Sequence, residues 1–240
     1  NPAGTGGATP VLPENPSAQN RREAQRVAAA AQAAGVTVME GFHYLFHPVT
    51  RRAYELTGDG TIGEMHHVEV RMAMPAPDAS DPRWSFEMAG GALMDLGCYG
   101  LHIMRPLGHP SIIRAHAKER TPGIDEWCDV ELGFPGGATG LSANTMTAPD
   151  FSFTLRIVGT KGDVLVHNFI KPNEDDRLTI RTKAGTRVEH HGTRTSYSYQ
   201  LEAFAAHVLH GTPLPIDTAD SMENMAYVDA AYRAAGMTPR

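Results

Sequence analysis

The chain has 240 residues, 41% of them hydrophobic and 20% charged, which suits one large domain or a domain with part of another. A formal net charge of −6 supplies no basic field for a phosphate backbone, so a nucleic-acid partner is not expected. No apolar run is long enough to span a membrane, the first residues lack a leader pattern, and Cys98 and Cys128 make no disulfide framework, so a reducing cytoplasm is expected.

Residues 1–20 are rich in Gly, Pro, Thr and Ala and read as coil, with a short extended piece at Val11-Leu12. Arg21 to Ala34 is Ala-rich and helical, with Asn20 as N-cap, Glu23 completing a capping-box-like pattern and Gly35 as the stop. Val36 to Met39 reads as a short buried strand. Pro48 opens a helix to about Leu56, stopped by Gly58 and Gly60. Met65 to Met74 alternates as a strand, and Ala92 to Leu107 has helical spacing. Strands are then predicted at 112–118, 126–134, 138–146, 152–158, 163–168, 176–182 and 186–191, joined by glycine-bearing turns. Such a series implies a large, mostly antiparallel sheet. Two helices finish the chain. Leu201, Phe204, Ala205, Val208 and Leu209 form a stripe on the first, and Met222, Met225 and Tyr232 share a face of the second, which starts after Asp217 or Thr218.

Several motifs carry little. Gly4 to Thr9 looks like a phosphate loop, but Thr9 stands at the third glycine position and no strand precedes it. Twelve histidines include the pairs His66-His67 and His190-His191, which point to opposite faces of a strand. His43 and His47 are four apart, but Pro48 starts the helix after them, so no metal site is expected. G-x-S-x-G is absent, which removes the anchor for a Ser/His/Asp hydrolase.

The informative stretch is Gly90 to His102 (GGALMDLGCYGLH). On a helix Asp95, Tyr99 and His102 stand at i, i+4 and i+7 and share one face. A carboxylate, a phenol and an imidazole on one stripe can line a polar pocket, with Tyr as acid/base. Spacing alone prefers the plainer alternative, an Asp95 favoured near a helix start and a packed Tyr99.

That stretch resembles the G-G-G-x-L-x-D-x-G-x-[HY] segment of the glucose-fructose oxidoreductase/inositol dehydrogenase family, Gfo/Idh/MocA. Glu14 to Asn20 is similar to the family's E-K-P segment and its tail, and Gly35 to Pro48 to its last Rossmann strand and the entry to its second domain. Thr61–Glu64, Ile157–Gly162 and Asn224–Arg233 also fit, in family order; Tyr at 99 points to the dihydrodiol and xylose dehydrogenase-like branch.

The resemblance implies an α/β fold in which residues 1–44 are the remnant of a dinucleotide-binding Rossmann domain and 45–240 form an α+β substrate domain. In that domain helices pack on one face of the sheet. It implies hydride transfer between NAD or NADP and a sugar, polyol or diol. Tyr99 would be the acid/base and Asp95 its polar neighbour, with His102 kept as a candidate on the same helix. Glu14 and Pro16 would border the cofactor, and Asn15 stands at the family Lys position. A cation there lowers the phenol's pKa, whereas a neutral amide supplies only a hydrogen bond. Pro13 is unusual at the end of a parallel strand, and Leu45 replaces a common Arg. No strand–G-x-G-x-x-G–helix unit is read in the chain, so the chain by itself is expected to bind neither cofactor. The alternative is a non-catalytic relative that dimerises or binds a sugar-like ligand. A homo-oligomer through an apolar second face of the sheet is expected.

Overall fold

A computed structural model describes residues 9–240, so the glycine-rich stretch at 4–8 lies outside the described residues. Helix α1 (Arg21–Ala34) forms as its composition requires: the Asn20 side chain accepts from the Glu23 N–H, and Gly35 ends the helix in the left-handed region at φ 62°. The strand expected at 36–39 shrinks to one parallel bridge, Val11 to Val38. Pro10 and Pro13 flank that bridge and bring no N–H to a ladder, which keeps the pairing short. Helix α2 (Pro48–Gly58) starts with Pro48 in its first turn, where a missing N–H costs nothing, and runs on to Gly58.

Eight strands form one sheet: β1 (Met65–Ala73), β2 (Ser111–Thr121), β3 (Ile124–Gly133), β4 (Thr139–Thr145), β5 (Ser152–Gly159), β6 (Gly162–Val166), β7 (Arg177–Thr182) and β8 (Gly185–His190). Their order is β2-β3-β4-β1-β5-β6-β7-β8. Only β1 and β4 run parallel, because β1 is inserted between β4 and β5 after the helical segment that separates it from β2; the other neighbours are antiparallel. The alternation visible in the sequence becomes a buried face. Val68, Val70 and Met72 lie beside Leu155 and Ile157 of β5 and share that face with Val130 and Leu132 of β3, across β4. Against that face pack Val49, Ala53 and Leu56 of α2 and Leu101 and Ile103 of the helix α3 (Cys98–Met104). Each such fully buried side chain contributes roughly 1.5–3 kcal/mol.

The opposite face corrects an expectation. It is not apolar: Glu69, Arg71, Asp129, Glu131 and Arg156 sit there, at the positions that alternate with the core residues. The period of two shows that one face is buried but leaves the chemistry of the other to residues between, and here those are mostly charged. Helix α4 (Ser196–His210) is a second surprise. Its apolar stripe points outward, with Leu201, Val208 and Leu209 exposed, while Ser196 and Gln200 are buried. Helix α5 (Thr218–Ala234), capped by Asp217, packs Met225, Val228 and Tyr232 into the core and lies against α1. Among the described residues no helix is long and apolar enough to cross a membrane.

Candidate active site

The helix predicted over 92–107 is three pieces. Leu93–Gly97 is a π-helix, α3 follows from Cys98, and Arg105–Leu107 is a 3₁₀ turn. Its start is fixed by Asp125, a fully buried carboxylate that accepts from the Leu93 N–H at 2.6 Å and from the Tyr232 hydroxyl at 3.1 Å. Gly97 and Gly100 then face β4, where a side chain at 100 would run into Ser142 Oγ and Asn144. This close approach of helix to sheet turns Tyr99 to the outer side. π-Turns recur at functional sites, and this one directly precedes Tyr99.

The π-turn also corrects the shared face. By widening one turn it takes Asp95 out of the i, i+4 relation to Tyr99, and the three side chains find three sets of partners. Asp95 pairs with Arg83 at 2.9 Å. Burial pushes its carboxyl up, against the pull of that guanidinium. Tyr99 donates to Asn15 Oδ1 at 3.0 Å. His102 is buried one layer below, with Nδ1 at 2.5 Å from the Tyr44 hydroxyl and Nε2 at 2.7 Å from Asp220. Its ring stacks on Phe42 at 3.8 Å, and Phe42 meets Tyr99 edge-on at 5.5 Å. His102 therefore supports the aromatic floor under Tyr99 rather than sharing its surface.

Asn15 reaches Tyr99 because Gly41 lets two segments cross closely: a Cβ there would stand 3.0 Å from Pro13 O and 3.4 Å from Asn15 Oδ1. Glu14 is exposed and Pro16 half-buried on either side of Asn15, and Ser17 N–H donates to the buried Glu40 carboxylate. Two residues not singled out for this site join it. His43 lies 6.1 Å from the Tyr99 ring, stacks on Tyr197 at 4.0 Å, and has Nδ1 at 2.8 Å from Ser196 Oγ. Its Nε2 is buried without a partner, and burial lowers its pKa to about 4, so the ring is neutral. The spacing to His47 had drawn attention to His43 only as a metal ligand; the signal for its place here was its position two residues after Gly41. Among the described residues no group of His, Cys, Asp and Glu side chains is placed to share a metal ion.

The phenol of Tyr99 is held protonated. Burial drives its pKa well above 10, the neighbouring Cys98 adds to the rise, and the bond to Asn15 opposes it. A cleft of about 570 Å³ opens beside Asp95, bounded by Pro16–Gln19 on one side and Asp81–Arg83 on the other. Two of the donors at the N-terminus of α1 are already used: Asn20 accepts from the Glu23 N–H, and Asp229 from the Arg21 N–H at 3.2 Å. The fold thus gathers a phenol, an amide and a buried imidazole nitrogen without a partner in one layer.

The model of the GFO/IDH/MocA C-terminal domain matches residues 50–165. A D-xylose 1-dehydrogenase (NADP⁺) of Haloferax volcanii is 32% identical over 94% of this chain and 70% of its own length. A trans-1,2-dihydrobenzene-1,2-diol dehydrogenase of Mus musculus is 29% identical over 68% of this chain and 50% of its own. In fold, the chain superposes with a TM-score of 0.86 on a 3-ketoreductase from Actinomadura kijaniata solved with NADP and TDP-benzene, at 24% identity and over 94% of this chain and 70% of that one. The xylose dehydrogenase match, extending over nearly the whole chain and in agreement with the domain model, shows that this chain belongs to the Gfo/Idh/MocA family of oxidoreductases.

Proposed function

We propose that this chain works in a nicotinamide-dependent oxidoreductase that interconverts a hydroxyl and a carbonyl on a sugar, polyol or diol, with Tyr99 transferring the proton. The observation that carries this reading is the Tyr99 hydroxyl, fixed by Asn15, with the ring of His43, whose Nε2 is unpartnered, 6.1 Å from the Tyr99 ring. NAD or NADP, the latter named for the xylose dehydrogenase relative, would supply or accept the hydride. Glu14 and Pro16, either side of Asn15, would border the nicotinamide. His43 Nε2 would meet a substrate hydroxyl, and Tyr197 would fix the imidazole plane. In carbonyl reduction the neutral Tyr99 phenol gives its proton to the developing alkoxide; in alcohol oxidation the phenolate must form first. Asp95, held by Arg83, would position the substrate edge in the neighbouring cleft.

The domain division is part of the proposal. Helix α1 with the Val11–Val38 bridge is the trailing edge of a dinucleotide-binding domain, residues 1–44, and residues 45–240 are the substrate domain. Its support is the parallel sense of that bridge and the 70% of the xylose dehydrogenase's length that the chain spans. Self-association would use the second face of the sheet, where Trp127, Leu141 and Ala143 make a small apolar centre ringed by Arg71, Asp129 and Glu131. Two buried free thiols fit the reducing cytoplasm.

A second reading, a ligand-binding relative without turnover, rests on Asn15: no lysine or arginine is among the groups that act most strongly on the Tyr99 phenol. One assay separates the two. The chain, extended by the dinucleotide-binding domain of the Haloferax volcanii relative, is offered NADP⁺ with aldoses, polyols and dihydrodiols, and the reduced cofactor is followed. Tyr99→Phe keeps the packing and removes the proton, so turnover should fall ~10²-fold or more. Turnover that survives Tyr99→Phe removes Tyr99 from the chemistry, and cofactor binding without turnover on any of the three classes favours the second reading.

A further inference from the structure

At the far end of α3 from Tyr99 lies a cavity of about 440 Å³, within the range of small-molecule sites. One wall is apolar: Leu45, the Tyr54 ring, Pro106, Pro215 and Ile216. The other is charged. Arg105 is 4% exposed, bonded to Asp220 at 3.0 Å and to Glu223, yet its Nε has no partner. Arg51 lines the mouth and has no ion-pair partner among the described residues, and His109, 3.2 Å from Glu223, also lines the cavity. The carboxylate in the wall, Asp220, is already committed twice, to His102 Nε2 at 2.7 Å and to Arg105. Burial raises its pKa, but those two partners outweigh the burial and keep it ionised. What is left without a counterpart is positive: the Arg51 guanidinium and the Arg105 Nε–H.

We propose that this cavity is a binding site for a small organic carboxylate with a compact apolar body, distinct from the Tyr99 site. The apolar body would lie on Leu45, Pro215 and Ile216, and the carboxylate would take Arg51 at the mouth. A carboxylate matches the planar guanidinium fork, and the mainly apolar wall disfavours a polyhydroxylated ligand. The site reaches the layer under Tyr99 through His102, whose ring stacks on Phe42.

The test is titration with benzoate, read by amide shifts in NMR spectra of the native chain, with benzamide as the neutral isostere. Benzoate should saturate, with a dissociation constant of about 1 mM or tighter and shifts centred on Leu45 and Ile216. Benzamide should bind at least ~10-fold more weakly, as should benzoate to Arg51→Gln, since each loses one charge-assisted bond. Arg51 is exposed and its side chain engages nothing else among the described residues, so that variant keeps the fold. Leu45→Trp, which fills the cavity, should abolish the shifts. Benzoate binding that matches benzamide, or that is untouched by Arg51→Gln, or shifts centred elsewhere, would overturn the proposal.

Discussion

Replacing Gly100 by Ala tests how the fold sets Tyr99. A methyl group at 100 would fall inside the van der Waals shell of Ser142 Oγ and 3.1 Å from Asn144 Oδ1, while Ser142 Cβ, at 3.4 Å, would be an ordinary contact. Ser142 and Asn144 are both buried, bonded to each other at 3.0 Å, and Asn144 is anchored on Cys128 O, so neither can yield freely. Overpacking of this kind costs roughly 1–3 kcal/mol. So close an approach to Ser142 Oγ belongs at the upper end, about 2–3 kcal/mol, of which alanine returns about 1 kcal/mol through helix propensity, leaving a net loss of about 1–2 kcal/mol for Gly100→Ala. Ser142→Ala removes the clashing oxygen at a cost of about 1 kcal/mol for its lost hydrogen bond. In that background the methyl meets only Cβ on the serine side, and Gly100→Ala should become neutral or stabilise by up to ~1 kcal/mol. Urea unfolding of the four chains reads this as a reversal of the shift in midpoint at constant m. Thermal melts should show Gly100→Ala lower by about 2–8 °C. A Gly100→Ala chain as stable as the parent, or one that loses the same amount with and without Ser142 Oγ, refutes the close helix-to-sheet contact that directs Tyr99 outward.

Two further outcomes follow from buried groups. His43 is neutral in the fold, with a pKa of about 4 against about 6.5 when unfolded, so the unfolded chain binds the extra proton; stability present above pH ~6.5 is lost as pH falls towards 4, by about 3 kcal/mol at most. Urea midpoints measured across that window should fall less steeply for His43→Gln than for the parent, and parallel curves would contradict the buried neutral ring. Burial also raises both thiols, Cys98 and Cys128, so neither should react with an alkylating reagent until the chain unfolds. Rapid labelling of the native protein, located by mass spectrometry, would contradict that burial.

The strands were legible because each buried residue alternates with a half-exposed one, and the turns between them carry glycine; Val68, Val70 and Met72 are enough to place β1. The helix caps were legible for a local reason, since Asn20 and Asp217 each bond a backbone N–H within their own first turn. Spacing could not supply what depends on distant partners. The π-turn at Leu93–Gly97 is set with Asp125, which lies about thirty residues on, and it moves Asp95 off the face that an unbroken helix would give it. The stripe on α4 reads as a core face, yet the core contact belongs to Ser196, which reaches His43 from 153 positions away. The pairing of Asn15 with Tyr99 was legible only through family resemblance, because nothing in the spacing of residues 15 and 99 brings them together. His43 and Tyr197 escaped even that route, since their role depends on a stacking contact between two segments remote in sequence.

The central claim is that Tyr99 is the proton-transferring group and that Asn15, in place of a cation, leaves its phenol with a high pKa. The most direct measurement is the pH dependence of kcat/KM for alcohol oxidation in the chain carrying a dinucleotide-binding domain, with Asn15 and with Asn15→Lys. In the Asn15 form the rate should rise with pH across the whole alkaline range, since the phenolate is scarce. Lysine beside the phenol should move that rising limb to lower pH by about 1–3 units and raise the rate at neutral pH by ~10²-fold, the low end for a charge stabiliser. A limb that stays where it was in Asn15→Lys, and that persists unchanged in Tyr99→Phe, would show that another group titrates and would contradict the account.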